Sequence, residues 1–246
     1  VSLGFRLVIK DNKIMNMKNG KLNKSHNFGQ WESRNINTLA MIQDVLTKYK
    51  VPDIDIIVST DDILKNEKGS KYPILVMAKR KQDKNILYPD HTFKDWGNAK
   101  TNSWNVEKNK IIKSCEKHPF SSKIGKLMFR GNDTHFIRKY LANKSTNKNQ
   151  LNIEIVNLKK NKNKFVKLEE HCKWKYLLNI PGRSYAGRLK YLLVTNSVVF
   201  NIIKKEEYQW DEFYYHILKE NKNYVAIKDE NNYDYDGKVK KEGNRY

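Results

Sequence analysis

The sequence predicts an α/β fold built as two successive domains, residues 1–110 and 111–246. Short, almost continuous apolar runs such as "IDIIVS", "KWKYLLNI" and "SVVFNII" have the pattern of strands buried on both faces. Segments with apolar residues at helical spacing alternate with those runs, which is the order that layers helices on a largely parallel sheet. A polar stretch, "KDWGNAKTNSWN", then breaks the pattern between Lys94 and Lys123 and serves as the interdomain connection.

The elements follow in chain order. "GFRLVIKDNKIM" reads as a strand with a turn at Asp11 and Asn12. "NINTLAMIQDVLTKY" places Ile36, Leu39, Ile42, Val45 and Leu46 at helical spacing, and Pro52 closes that helix. "IDIIVS" and "YPILVMAK" are strands, and "VEKNKIIKSCEKH" is an amphipathic helix stopped by Pro119. Beyond it come a strand, "KLMFRGND", a helix, "HFIRKYLANK", a strand, "LNIEIVNL", and a solvated Lys and Asn loop at 159–164. "KWKYLLNI", a helix from about Tyr185, "SVVFNII" and "NYVAIKD" complete the second domain.

Composition narrows the function classes. A formal net charge of +21 invites a nucleic-acid reading, but it comes from 40 Lys and only 8 Arg, with the Lys spread along the whole length among abundant Asn. That bias reads as AT-rich codon usage, so no specific nucleic-acid partner is expected. No apolar run approaches the roughly 18 residues that span a bilayer, and Val1 opens no charged-then-apolar leader. Cys115 and Cys172 allow at most one internal disulfide and no framework. A zinc site could be drawn from Cys115, His118, His171 and Cys172, but adjacent His and Cys chelate poorly. A buried thiol near a strand is the preferred reading, and no metal or resident cofactor is expected.

Arginine is scarce, yet four of the eight fall at two strand-to-helix junctions, "FRGNDTHFIRKYL" and "NIPGRSYAGRLKYLL". In the second, a strand ending at Ile180, a Pro181-Gly182 turn and a helix from near Ser184 would present backbone N–H groups at a sheet's carboxyl edge. Arg188, one turn into that helix, would offer a planar fork to a phosphate, which Lys does less well. The first junction repeats the arrangement with Gly131 and Arg138. Together they predict a diphosphate cradle.

These residues also resemble a known family. "HCKWKYLLNIPGRSYAGRLKYLLVTNSVVF", with "FRGNDTHFIRKYL" and "YPDHTFKDW" before it and "YQWDEFYYHIL" after it, is similar to glycosyltransferase family 90, in order from roughly Asp53 to Asp229. The resemblance implies a GT-B-like pair of Rossmann-like domains and an inverting, metal-independent transfer of glucose or xylose from a UDP-sugar to a hydroxyl on a protein or glycan acceptor. It implies that Asn132 and Arg138 contact the nucleotide sugar, and that Arg183, Ser184, Tyr185, Ala186, Gly187 and Arg188 wrap the diphosphate. Phe93 would shape the sugar-side wall, and Glu212 would meet the ribose hydroxyls. The base would be an Asp after an N-terminal strand, here Asp62 or Asp61, with alignment favouring Asp62.

The family's cysteine partner for Cys172 falls at Thr195, so that disulfide is not expected. Without it and without a leader, the cytoplasm is favoured over a secretory lumen. The family's returning C-terminal helices find no match after Ile227. Two rival readings remain. Asp53-Ile-Asp55 and Asp234-Tyr-Asp236 match the loose Asp-x-Asp pattern of metal-dependent GT-A transferases, and the basic charge would suit a non-catalytic binding protein or a degenerate transferase scaffold.

Overall fold

The computed structural model describes residues 4–18, 21–22, 27–28, 32–64, 72–145, 147–157 and 164–231. The chain forms two compact units. Val1–Trp104 with Trp210–Phe213 make the first, and Asn105–Gln209 with Tyr214–Tyr246 make the second. The division falls at Trp104, and a short segment of the "YQWDEFYY" stretch returns to the first unit, where Lys79 and Asp211 exchange backbone hydrogen bonds of 3.1 and 2.8 Å.

In the first unit, β1 (Gly4–Lys10) and β2 (Lys13–Ile14) form the expected hairpin. Its two turn residues, Asp11 and Asn12, have φ of 49° and 60°, the left-handed pair that a tight two-residue hairpin requires and that Asp and Asn tolerate best. Short strands β3 (Met17–Lys18) and β4 (Lys21–Leu22) pair with each other, and β5 (Asn27–Phe28) pairs with β1. Helix α1 (Glu32–Leu46) buries Leu39 and Leu46 against Phe5, Leu7 and Ile9 of β1 and Val58 of β6 (Ile54–Ser59). Ile36 and Val45 of the same helix are instead exposed.

β6 runs antiparallel to β1 but parallel to β7 (Leu75–Val76), which is parallel to β8 (Ile86–Leu87). The expectation of a largely parallel first sheet is therefore corrected to a mixed one. β1 pairs with β6 along six residues in antiparallel register, although a helix lies between them in the chain.

The second unit is a wholly parallel sheet. Helix α2 (Trp104–Glu116) leads to β9 (Ile124–Gly131), α3 (Phe136–Lys144) and β10 (Leu151–Ile155). β11 (Trp174–Asn179), α4 (Leu189–Leu192), β12 (Val198–Lys204) and β13 (Val225–Asp229) follow. The strand order is β10-β9-β11-β12-β13. Both faces are covered, which is why these strands read as continuous apolar runs. One face packs Phe129, Ile153, Leu178, Ile180 and Ile202 against Ile137 and Leu141 of α3, and the other packs Met128, Leu177 and Val199 against Leu189 and Leu192 of α4.

Two expectations for this unit are corrected. The helix predicted from Ser184 or Tyr185 is only the four residues of α4, with Arg188 immediately before it rather than one turn inside. Pro181 and Gly182 start a tight loop instead, closed by a 3.0 Å bond from the Gly182 N–H to the Tyr185 carbonyl. Nor is Cys172 a free thiol: it is bonded to Cys115. Helix α2 carries Cys115 to within 5.2 Å (Cα to Cα) of Cys172, inside the range a disulfide spans, although 57 residues separate them in sequence. Thr195 lies at the same place, its carbonyl accepting a 2.7 Å hydrogen bond from the buried ammonium of Lys123, which also donates to the Asn196 carbonyl and to Ser197 Oγ.

Two outcomes are expected. Closing a loop of this length contributes on the order of 4 kcal/mol in chain entropy and about 2–4 kcal/mol in practice. Denaturant melts with and without reductant, and of Cys115→Ala, should differ by that amount, and coincident melts would show that the bond does not form. The second concerns acid. Burial, with the charges of Lys204 and Arg138, pushes His135 down to about 3 against the opposing pull of Asp229. Burial likewise pushes His171 to about 4, helped by Arg188 and Arg130 and opposed by the carbonyls of Lys167 and Leu168. Both imidazoles take up protons more readily in the unfolded chain, so the stability they contribute is complete above about pH 6.5 and is lost as pH falls toward 3–4. His135 Nδ1 accepts the N–H of Ile137 at the start of α3. His135→Asn, which keeps an acceptor there, should flatten the decline in urea midpoint between pH 6.5 and 4, and an unchanged slope would show that His135 does not contribute.

Candidate functional site

The topology of the second unit marks one place in advance of any side chain. β9 connects to β10 on one side while β11 connects to β12 on the other, so the direction of winding reverses between β9 and β11. In open parallel sheets the crevice beyond the carboxyl ends of the strands at this reversal is where ligands bind. The residues leaving β9 and β11 there are those of the two arginine-bearing junctions.

Arg138, on α3, is 5% exposed, and its guanidinium turns back to the main chain. Nε donates to the Pro181 carbonyl at 3.1 Å, Nη2 to Ile180 at 2.9 Å and Nη1 to Asn132 at 3.0 Å. It thereby ties the segment after β9 to the segment after β11. Arg188 reaches the same place from the other side, where Nη1 donates to the Arg130 carbonyl. Both guanidiniums lie over the ring of Phe129, at 4.8 Å for Arg188 and 5.7 Å for Arg138. Burial pushes Arg188 down to about 10, and burial together with the charge of Arg188 pushes Arg138 down to about 9, against the pull of Asp133. Two like charges held this close are a standing electrostatic demand for an anion.

The remaining residues of this half are close by in the chain but differ in exposure. Asn132 and Arg183 are exposed, Tyr185 and Gly187 are half-buried, and Ser184 and Ala186 are buried. The Gly187 carbonyl accepts a 2.8 Å hydrogen bond from Lys190. Arg130, the fourth arginine of the two junctions, is spent on β10: it donates to the Asn152 carbonyl and side chain at 2.7 Å each and pairs with Glu154 at 3.5 Å.

The other predicted residues belong to the first unit. Asp61 and Asp62 follow β6 at the end of the strand where it leaves the sheet. Arg34, on α1, donates from Nη1 to Asp62 Oδ1 at 2.9 Å and to the Thr60 carbonyl at 2.8 Å. Its neighbour Asn35 accepts the Thr60 hydroxyl at 2.8 Å, so two consecutive helix residues hold the exit of β6. The Asp62 side chain remains 42% exposed. The main-chain N–H of Asp61 instead faces Ser59 Oγ at 3.4 Å.

Phe93 closes a short helical turn, His91–Phe93, capped by Asp90, whose Oδ1 accepts the Thr92 N–H at 2.8 Å and the Thr92 hydroxyl. Its ring packs on Trp104 at 5.7 Å and on Phe213 at 5.5 Å. Glu212 is buried in the returning segment beside Phe213, and so stands with Phe93 and Asp62 in the first unit.

The Asp-x-Asp alternatives fare differently. Asp55 pairs with Arg6 through both Nε and Nη2, and Asp53 accepts the Asp11 N–H at 2.9 Å. Both lie at the beginning of β6, at the opposite end of the strand from Asp61 and Asp62. Asp234 and Asp236 lie outside the described residues. The four-residue zinc set is incompatible with the Cys115–Cys172 bond, which leaves no thiolate to ligate. Among the described residues no helix is long and apolar enough to cross a membrane.

Sequence reasoning missed Arg34 and Phe129 as parts of the site. Phe129 stood inside the "FRG" stretch, and Arg34 was visible only as one of eight arginines. Neither carries a local signal of its role, because each acts on residues that the fold brings to it.

Comparison with known proteins gives the family of the chain. O-glucosyltransferase rumi of Drosophila pseudoobscura pseudoobscura is 30% identical over 203 residues, covering 72% of this chain and 48% of that protein. Protein O-glucosyltransferase 1 of Homo sapiens is 26% identical over 203 residues, covering 73% and 50% respectively. The chain thus spans about half the length of these curated relatives. The family profile described as Glycosyl transferase family 90 matches residues 2–240, and the chain belongs to that family.

Proposed function

We propose that this chain is an inverting glycosyltransferase that moves glucose or xylose from a UDP-sugar to a hydroxyl of a protein or glycan acceptor, with the two units working as a GT-B-like pair. The observation that supports it most is the pair of guanidiniums, Arg138 and Arg188, over Phe129 beyond the carboxyl ends of β9 and β11. A diphosphate is the anion whose charge and oxygen count suit two such forks. The names of the relatives, all O-glucosyltransferases, favour a glucosyl donor and a protein acceptor.

In this reading Asp62 of the first unit takes the proton of the acceptor hydroxyl as its oxygen bonds to the anomeric carbon. The bond from that carbon to the UDP oxygen breaks on the opposite face, and the negative charge passes to the diphosphate. Arg188 and the 183–187 loop stabilise that charge as it develops, so metal is not required. The contact of Arg34 with one oxygen of Asp62, whose side chain stays 42% exposed, supports Asp62 over Asp61 in this reading. In the same reading Asn132 and Arg183 would contact the donor, Phe93 would wall the sugar and Glu212 would meet the ribose. The Cys115–Cys172 bond removes one ground for a cytoplasmic location, since such bonds form in oxidising compartments.

Titration calorimetry should show UDP binding that survives EDTA, and loss of binding on chelation would overturn the metal-free reading. Arg188→Lys should weaken UDP by about 1–3 kcal/mol, because an ammonium keeps the charge but not the two-pronged contact. Asp62→Asn should retain donor affinity and lower transfer from UDP-glucose or UDP-xylose by at least about 100-fold. If Asp61→Asn alone abolishes turnover, the base is Asp61, and if neither substitution does, transfer does not use this strand exit.

A further inference from the structure

Resting on the diphosphate reading above, we infer that Phe129 and Gly131 are positioning residues for Arg188: the phenyl ring supplies the face on which its guanidinium lies, and the missing side chain of Gly131 supplies the space it occupies. Phe129 is 1% exposed and belongs to the core formed by Ile137, Ile153, Leu178, Ile180 and Ile202. Its ring cannot turn away from Arg188 without opening that core. The backbone then adds direction, since the Arg130 carbonyl accepts from Arg188 Nη1.

Gly131 serves by its size and not by its backbone angles, for its φ is not positive. A Cβ built on it would lie 2.5 Å from Arg188 Nη2, 3.2 Å from Arg188 Cζ and 2.7 Å from Phe129 Cζ. The 2.5 and 2.7 Å distances are shorter than real Cβ contacts, so an alanine requires either the guanidinium or the ring to move. Because the ring is locked in the core, the displacement falls chiefly on the guanidinium. A residue two positions along β9 from Phe129 is thus what sets where the charge of Arg188 is aimed. A fork misplaced by even an ångström loses its two-pronged grip on an anion, although the charge is unchanged.

The test uses UDP as probe and the full chain. Gly131→Ala and Phe129→Leu should each weaken UDP by at least about 10-fold in the parent. In an Arg188→Ala background Gly131→Ala should change affinity by less than about 2-fold, since the residue it acts through is gone, and Phe129→Leu should lose less than in the parent, keeping only what runs through Arg138 over the same ring. Parent-like affinity for Gly131→Ala, or equal losses with and without Arg188, would overturn the inference. A ligand-free readout keeps it separable from the proposed function. The Nε–H resonance of Arg188 should carry a ring-current shift that disappears in Phe129→Leu and moves in Gly131→Ala. If the parent binds no UDP while that resonance responds as stated, the positioning stands and the diphosphate reading fails, whereas an unmoved resonance overturns the positioning. Should Phe129→Leu not fold, Gly131→Ala decides alone.

Discussion

Two guanidiniums sharing one phenyl ring is the constraint around which the second unit is arranged. Holding Arg138 and Arg188 within reach of Phe129 costs desolvation, which pushes both below the ordinary arginine range, and at Arg138 the charge of Arg188 adds to it. Backbone carbonyls offset part of that cost. Three of them, Asn132, Ile180 and Pro181, accept from Arg138, and they come from the two segments that leave β9 and β11. The same contacts therefore neutralise a buried charge and fasten the two loops at the reversal of the sheet. Arg138 thereby acts as a tie between the two junctions.

A second constraint braces the far side of the sheet. The Cys115–Cys172 bond and the ammonium of Lys123 converge on Cys172 and on the turn at Thr195, Asn196 and Ser197. Asn196 turns with a φ of 50°, and three acceptors around one ammonium hold that turn at the entry to β12. Where the family resemblance puts a cysteine at Thr195, this chain brings one from α2 instead.

The first unit solves a different problem, which is to keep a carboxylate exposed yet fixed. Arg34 and Asn35 are adjacent on α1, and between them they hold the Thr60 carbonyl, the Thr60 hydroxyl and one oxygen of Asp62. The acidic residues at the start of β6 have been consumed by the hairpin turn and by Arg6. Strand polarity thus separates four aspartates of similar local sequence into two at the start of β6 and two beyond its end.

Much of this was legible in the sequence because it depends on local pattern. Apolar runs of strand length marked β6, β9, β11 and β12, and the scarcity of arginine singled out the two junctions, since a residue used only eight times is informative where it clusters. What only the tertiary structure decided depends on residues distant in the chain. The direction of β1 against β6 is set by their pairing in the sheet, and period-two patterning is the same for either direction. The pairing of Cys115 with Cys172 depends on where α2 lies, and the aim of Arg188 depends on a ring and a missing Cβ on another strand. The sequence by itself determined which residues carry charge and which runs form the buried strands. Only packing decided which of those charges face each other, because that is set by distances between strands and helices that no linear spacing encodes.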